Sequence, residues 1–62
     1  MPTIPHSIIT LTFPPNYNGG VPLYVSRDSV GAVFTSSNQT YVNVFGHEYP
    51  VVETVDEVLA AL

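Results

Sequence analysis

The chain is expected to be mainly β, in the α+β class: a small antiparallel sheet or partly curled barrel of 4–5 strands with one short C-terminal helix. Three observations lead there. Val, Ile and Thr supply 19 of the 62 residues, and β-branched side chains favour pleated strands. Short runs alternate apolar and polar residues with period two, and clusters of Pro, Gly, Asn and Ser separate them. Only from Thr54 onward does the apolar spacing change to that of a helix.

The elements follow in order. Residues 1–7, MPTIPHS, carry Pro2 and Pro5 without any period and read as an extended arm. Ile4, between the two prolines, suits a small pocket on a neighbour. Residues 8–62 form the single small domain. In the run 8–13, Ile9, Leu11 and Phe13 share one face, and Ile8, Thr10 and Thr12 share the other. Pro14-Pro15 ends it, because proline cannot donate to a ladder. Asn16 to Gly20 is turn chemistry and exposes Tyr17. The run 21–25 puts Val21, Leu23 and Val25 on one side, with Pro22 and Tyr24 on the other. Pro22 marks an edge strand.

Ser26 to Ser29 reads as a tight turn. In the third strand, 30–35, Val33 and Thr35 oppose Ala32 and Phe34. Ser36 to Gln39 is a hairpin loop. The fourth strand, 40–45, places Thr40, Val42 and Val44 against Tyr41, Asn43 and Phe45. Gly46-His47 is the expected two-residue turn, and 48–52 returns as a fifth strand. Thr54 and Glu57 form a capping box for a helix over 54–62. Asp56 and Glu57 suit its positive end. Val55, Val58, Leu59 and Leu62 line one helical face, and Leu59 is expected to cover the core.

Charge excludes several function classes. Charged residues make up 10% of the chain, and the formal charge is −4. Arg27 is the only Lys or Arg. Counterion release on nucleic acid needs several cations, so direct nucleic-acid binding is not expected. A polybasic membrane contact fails for the same reason, and no apolar run is long enough to span a bilayer. The N-terminus lacks the basic region of a signal peptide. The expected location is the cytoplasm of a host cell, or a virion. With no cysteine, there is neither a disulfide nor a Cys-based metal site. No cofactor is expected. A domain of this size buries only about 60% of its unfolded surface, so association is the remaining staple.

Candidate sites are few. His47 and Glu48 are neighbours on a strand, so they point to opposite faces and make a poor acid–base pair. The serines lack a base or a nucleophile motif. Asn38-Gln39-Thr40 matches a glycosylation sequon, which without a signal peptide is chance. Gly19-Gly20 is followed by no phosphate-binding lysine. No catalytic residue and no metal ligand is assigned. The aromatic set is more informative. Tyr17, Tyr24, Tyr41, Phe45 and Tyr49 exceed what one small core holds. With Ile4 they form the candidate partner interface, since exposed aromatics are enriched at interfaces. A stacked aromatic pocket for a nucleobase is a further use of the same residues.

The order I-T-L-T, a glycine-containing loop, a strand ending before Asp28-Ser29-Val30, a hairpin and the ending V-x-V-F-G-H-E-Y-P-V-V-E-T-V-D-E-V-L resembles the small flagellar and swarming-motility protein family. It also resembles small phage proteins of similar length. The segment from Gly46 to Val58 carries most of the likeness, which spans residues 8–62. The Pro-containing arm and the PPNYNGG loop depart from it. The resemblance implies a compact β-sheet with a C-terminal helix and supplies no catalytic residues. A likeness to the LytTR DNA-binding domain lacks the basic residues that such binding uses.

Three function classes fit. The first is a non-enzymatic structural or assembly protein, a virion- or capsid-associated component of phage type. It would bind a protein partner or itself, as a homo-oligomer. The second is a small inhibitor or adaptor of a host protein. The third is an oligomeric sponge for a small molecule or nucleotide, in which several copies of Arg27 converge on the ligand.

Overall fold

A computed structural model describes residues 7–62. Five strands and one helix follow the expected order: β1 (Ile8–Thr12), β2 (Pro22–Ser26), β3 (Val30–Ser36), β4 (Gln39–Val44), β5 (His47–Val51) and α1 (Val55–Ala61). They form two antiparallel sheets, β1-β2 and β3-β4-β5, and the strands do not close into a barrel. The mainly β architecture with one short C-terminal helix is therefore correct. The curled-barrel alternative gives way to two sheets joined at a corner.

The core lies between these elements. Ile9, Leu11 and Val25 come from the first sheet, Val42 and Val51 from the second, and Val58 from the helix. The alternation read in β1 holds, with Ile9, Leu11 and Phe13 buried. In the second sheet, Val33, Val42 and Tyr49 align across the strands on the core face. Phe34, Tyr41 and Pro50 align on the opposite face. A bulge at Gly31 adds one residue to β3. It puts Val30 on the same face as Val33, where strict alternation would have separated them.

The ladder pattern of the first sheet follows from its two ends. Phe13 N–H donates to Val21 C=O at 3.1 Å, and Arg27 N–H donates to Ser7 C=O at 2.7 Å. Both pairs are hydrogen-bonded rungs. With the observed register, Ile9/Val25 and Leu11/Leu23 are rungs as well. The alternate pairs, Ile8/Ser26, Thr10/Tyr24 and Thr12/Pro22, direct their main-chain groups away from each other. Pro22 sits where no donor toward β1 is required. That is why a proline is accepted inside β2.

Thr12 makes the corner. Its outward C=O accepts from Val52 N–H at 2.9 Å. Its outward N–H donates to Glu53 Oε1 at 2.9 Å, and its hydroxyl donates to Glu53 Oε2 at 3.0 Å. One residue of β1 thus carries three bonds to the chain just after β5. Gln39 Nε2 closes the same end of the second sheet by donating to Val51 C=O at 2.8 Å.

Both hairpins of the second sheet turn through two residues with positive φ. These are Ser37 and Asn38 (51° and 65°) and Phe45 and Gly46 (53° and 82°). That is the signature of a type I′ turn, whose twist matches the flanking strands. The second turn is therefore Phe45-Gly46 and not Gly46-His47. Val44 pairs with His47, which leaves Phe45 at the tip. In the loop before β2, Asn18, Gly19 and Gly20 all have positive φ. Gly20 also lies under Phe13 C=O, which is 3.6 Å from where a Cβ would sit. The Ser26–Ser29 turn is a short 3-10 segment, Arg27–Ser29.

The capping box forms as the sequence predicts. Glu57 N–H donates to Thr54 Oγ1 at 3.1 Å, and Thr54 N–H donates to Glu57 Oε1 at 2.8 Å. The face that packs differs from expectation. Val58 is fully buried and Ala61 packs beside it, whereas Leu59 is 54% exposed. A seven-residue helix contacts the sheets along a narrow stripe. The rotation set by the cap puts Val58 and Ala61 in that stripe and turns Leu59 away.

Two predictions follow from this packing. Val58→Ala costs about 2 kcal/mol, from two lost methyl groups and the cavity they leave. Leu59→Ala costs less than about 0.5 kcal/mol, as expected of a surface change. Urea denaturation of both variants checks the pair, and the reverse ranking would contradict the helix orientation. At the corner, Glu53→Ala costs about 2 kcal/mol, because it strands the Thr12 N–H and hydroxyl. Glu53→Gln keeps one acceptor and loses about half as much. Equal losses in the same denaturation experiment would mean that the two acceptors are not what matters at Glu53.

Candidate functional site

The sequence-derived interface residues do not gather in one place. Ile4 lies outside the described residues, as does most of the 1–7 arm; only Ser7 is described. Tyr17 is half-buried, with its ring 4.9 Å from that of Phe13. Tyr49 stands on the core face. Its ring lies 6.1 Å from Phe13 and 4.4 Å from His47. These two tyrosines, expected at the surface, serve mainly to extend the core around Phe13. The signal that could have placed Tyr49 is cross-strand pairing, which sets it opposite the buried Val42.

Three aromatics remain on the outside. Tyr41 stacks on Phe34 across β3 and β4, at 5.5 Å and 19° between planes. Pro50 is the next residue in the same cross-strand row. Phe34 was not singled out from the sequence. The signal that would have found it is the Ser37-Asn38 hairpin, which fixes Phe34 opposite Tyr41. Tyr24 is 58% exposed on the outer face of β2, and Phe45 is 88% exposed at the β4–β5 tip.

Phe45 is unusual in two respects. Its φ of 53° lies in the left-handed region, which Asn or Gly occupies far more readily than a bulky side chain. The turn is held locally: Gly46 N–H donates to the Asn43 side-chain oxygen at 3.0 Å. That bond closes the turn, and the ring projects from the hairpin tip into solvent.

Arg27 is engaged within the chain. Its Nη1 donates to Leu62 O at 3.0 Å, and its Nε is buried without a hydrogen-bond partner. Convergence of several Arg27 side chains on one ligand would first have to break the contact with Leu62. His47 and Glu48 lie on opposite faces of β5, as their spacing requires: His47 pairs with Val44, and Glu48 with Asn43. Among the described residues there is no group of three or more His, Asp or Glu able to hold a metal ion, and there is no cavity. No helix among them is long and apolar enough to cross a membrane.

What this arrangement offers chemically is contact: aromatic rings, apolar side chains and main-chain groups presented on rigid strands. No protein-family model matches the chain, and no curated protein or solved structure matches it either.

Proposed function

We propose that this chain is a non-enzymatic protein-binding and assembly component, of the kind associated with phage virions or capsids. The phage assignment rests on the resemblance of residues 8–62 to small phage proteins. The binding assignment rests on one observation, the solvent-exposed Phe45 in a left-handed turn.

The energetics of that residue argue for a role outside the isolated fold. Holding a bulky residue in the left-handed region costs about 1 kcal/mol or more. The exposed ring recovers none of that cost within the chain. Burial of a Phe side chain in a partner would return about 1.5–3 kcal/mol. Binding energy concentrates in such preorganised apolar anchors. Rigidity adds to the effect, because the hairpin loses little conformational freedom on binding.

Phe45→Asn separates stability from binding. Asn suits the first position of a type I′ turn, so the variant gains about 1 kcal/mol and its Tm rises by about 4–8 °C. The same variant, immobilised beside the wild-type chain and challenged with an extract of its source cells, retains less than about a tenth of the wild-type's bound protein. Equal retention by the more stable variant contradicts the proposal.

A further inference from the structure

We propose that β2 is a self-pairing edge: two copies of this chain join antiparallel through Tyr24 and form a four-stranded sheet in the order β1-β2-β2-β1. The inference rests on the assembly reading and names its partner as a second copy.

The ladder pattern supplies the geometry. Tyr24 and Ser26 belong to the pairs whose main-chain groups turn away from β1, and β2 has no other strand neighbour. A two-fold axis through Tyr24 makes this outward row its own complement. Tyr24 N–H then donates to the second copy's Tyr24 C=O, and the reverse bond forms by symmetry. Ser26 N–H donates to the second copy's Pro22 C=O, again twice. Pro22 enters only as an acceptor, so its missing N–H leaves one unanswered group per copy, the facing Ser26 C=O.

The other edges are closed to such pairing. The outer edge of β1 is occupied at Thr12 by Val52 and Glu53. On β5 the outward row is interrupted at Pro50, as that of β2 is at Pro22, but its next outward group, Val52 N–H, is already bonded to Thr12. β3 is kinked by its bulge at Gly31, and α1 lies against it.

Charge favours a second copy as the occupant. The chain carries −4, so two copies repel wherever acids meet. Neither β1 (IITLT) nor β2 (PLYVS) contains a charged residue. β3 (VGAVFTS) and β4 (QTYVNV) are uncharged as well, but β2 is the uncharged edge left open, it brings no like charges together, and Pro22 is its single blocking residue. Only seven hydrophobic side chains are buried among the described residues, and a core that small gains from association.

The experiment uses the full chain, with sedimentation equilibrium over a wide concentration range and amide hydrogen exchange at its two ends. The expected result is a monomer–dimer equilibrium in which exchange at Tyr24 and Ser26 slows with concentration, while exchange at Thr10 does not. Tyr24→Pro removes the central donor and leaves the β1-β2 rungs intact, because Tyr24 makes none of them. It should weaken dimerisation about tenfold or more, from two lost main-chain bonds. Tyr24→Lys retains the N–H and places like charges across the axis. It should have a similar effect, and it guards against misfolding of the proline variant. A monomer at all concentrations overturns the inference, as does a dimer whose Tyr24 amide exchanges as fast as in the dilute chain. Protection of Tyr24 that appears only when a different protein is bound also overturns it. Phe45→Asn should dimerise like the wild type, so loss of partner retention in that variant and failure of edge pairing are separate outcomes.

Discussion

Thr12 is the residue through which two small sheets become one structure. A two-stranded ribbon such as β1-β2 is marginal in water on its own. It gains stability here by burying Ile9, Leu11 and Val25 against Val42, Val51 and Val58. That burial requires a fixed relation between the sheets. Thr12 provides it by using its C=O, N–H and hydroxyl together toward Val52 and Glu53. The same corner positions the start of α1, because Thr54 follows Glu53 directly and caps the helix that delivers Val58. A chain without cysteine thus relies on a carboxylate clasp where other domains of this size use a disulfide or a metal.

The parts of the fold set by local chemistry were legible in the sequence. Alternation named the buried face of β1, Pro22 named an edge, and Thr54 with Glu57 named the helix start. The parts set by long-range contact were not. Nothing near Thr12 announces a partner 41 residues away. Leu59 looks like a core residue by spacing, and only docking of the helix shows that Val58 takes that place. The Gly46-His47 turn was misplaced by one residue because a Phe at a left-handed position runs against turn preference. That error also hid the feature most relevant to binding, Phe45 at the tip.

The surface is organised around a shortage of charge. With one Arg and five acids, the chain cannot cover its exterior with ion pairs. Instead it carries an aromatic row on one sheet, a neutral ribbon on the other and a projecting ring at a hairpin tip. Each is costly or hazardous for a solitary soluble domain. Each becomes useful where other protein surfaces cover it. Edge pairing through β2 would place two Phe45 tips on one particle, and two linked anchors bind a repetitive surface far more tightly than one. Thr12 directs its bonds to Val52 and Glu53 away from β2, so the bonds that hold the corner are distinct from those that would carry contact.

The clasp is tested most directly by native-state hydrogen exchange at the Thr12 and Val52 amides, with Leu11 and Val42 as references inside each sheet. The account requires Thr12 and Val52 to exchange only through global unfolding, with the same opening free energy as Leu11 and Val42. Much faster exchange at Thr12 and Val52, with Leu11 and Val42 still protected, would mean that the sheets part at the corner while each remains folded. That result would contradict the central role given to Thr12.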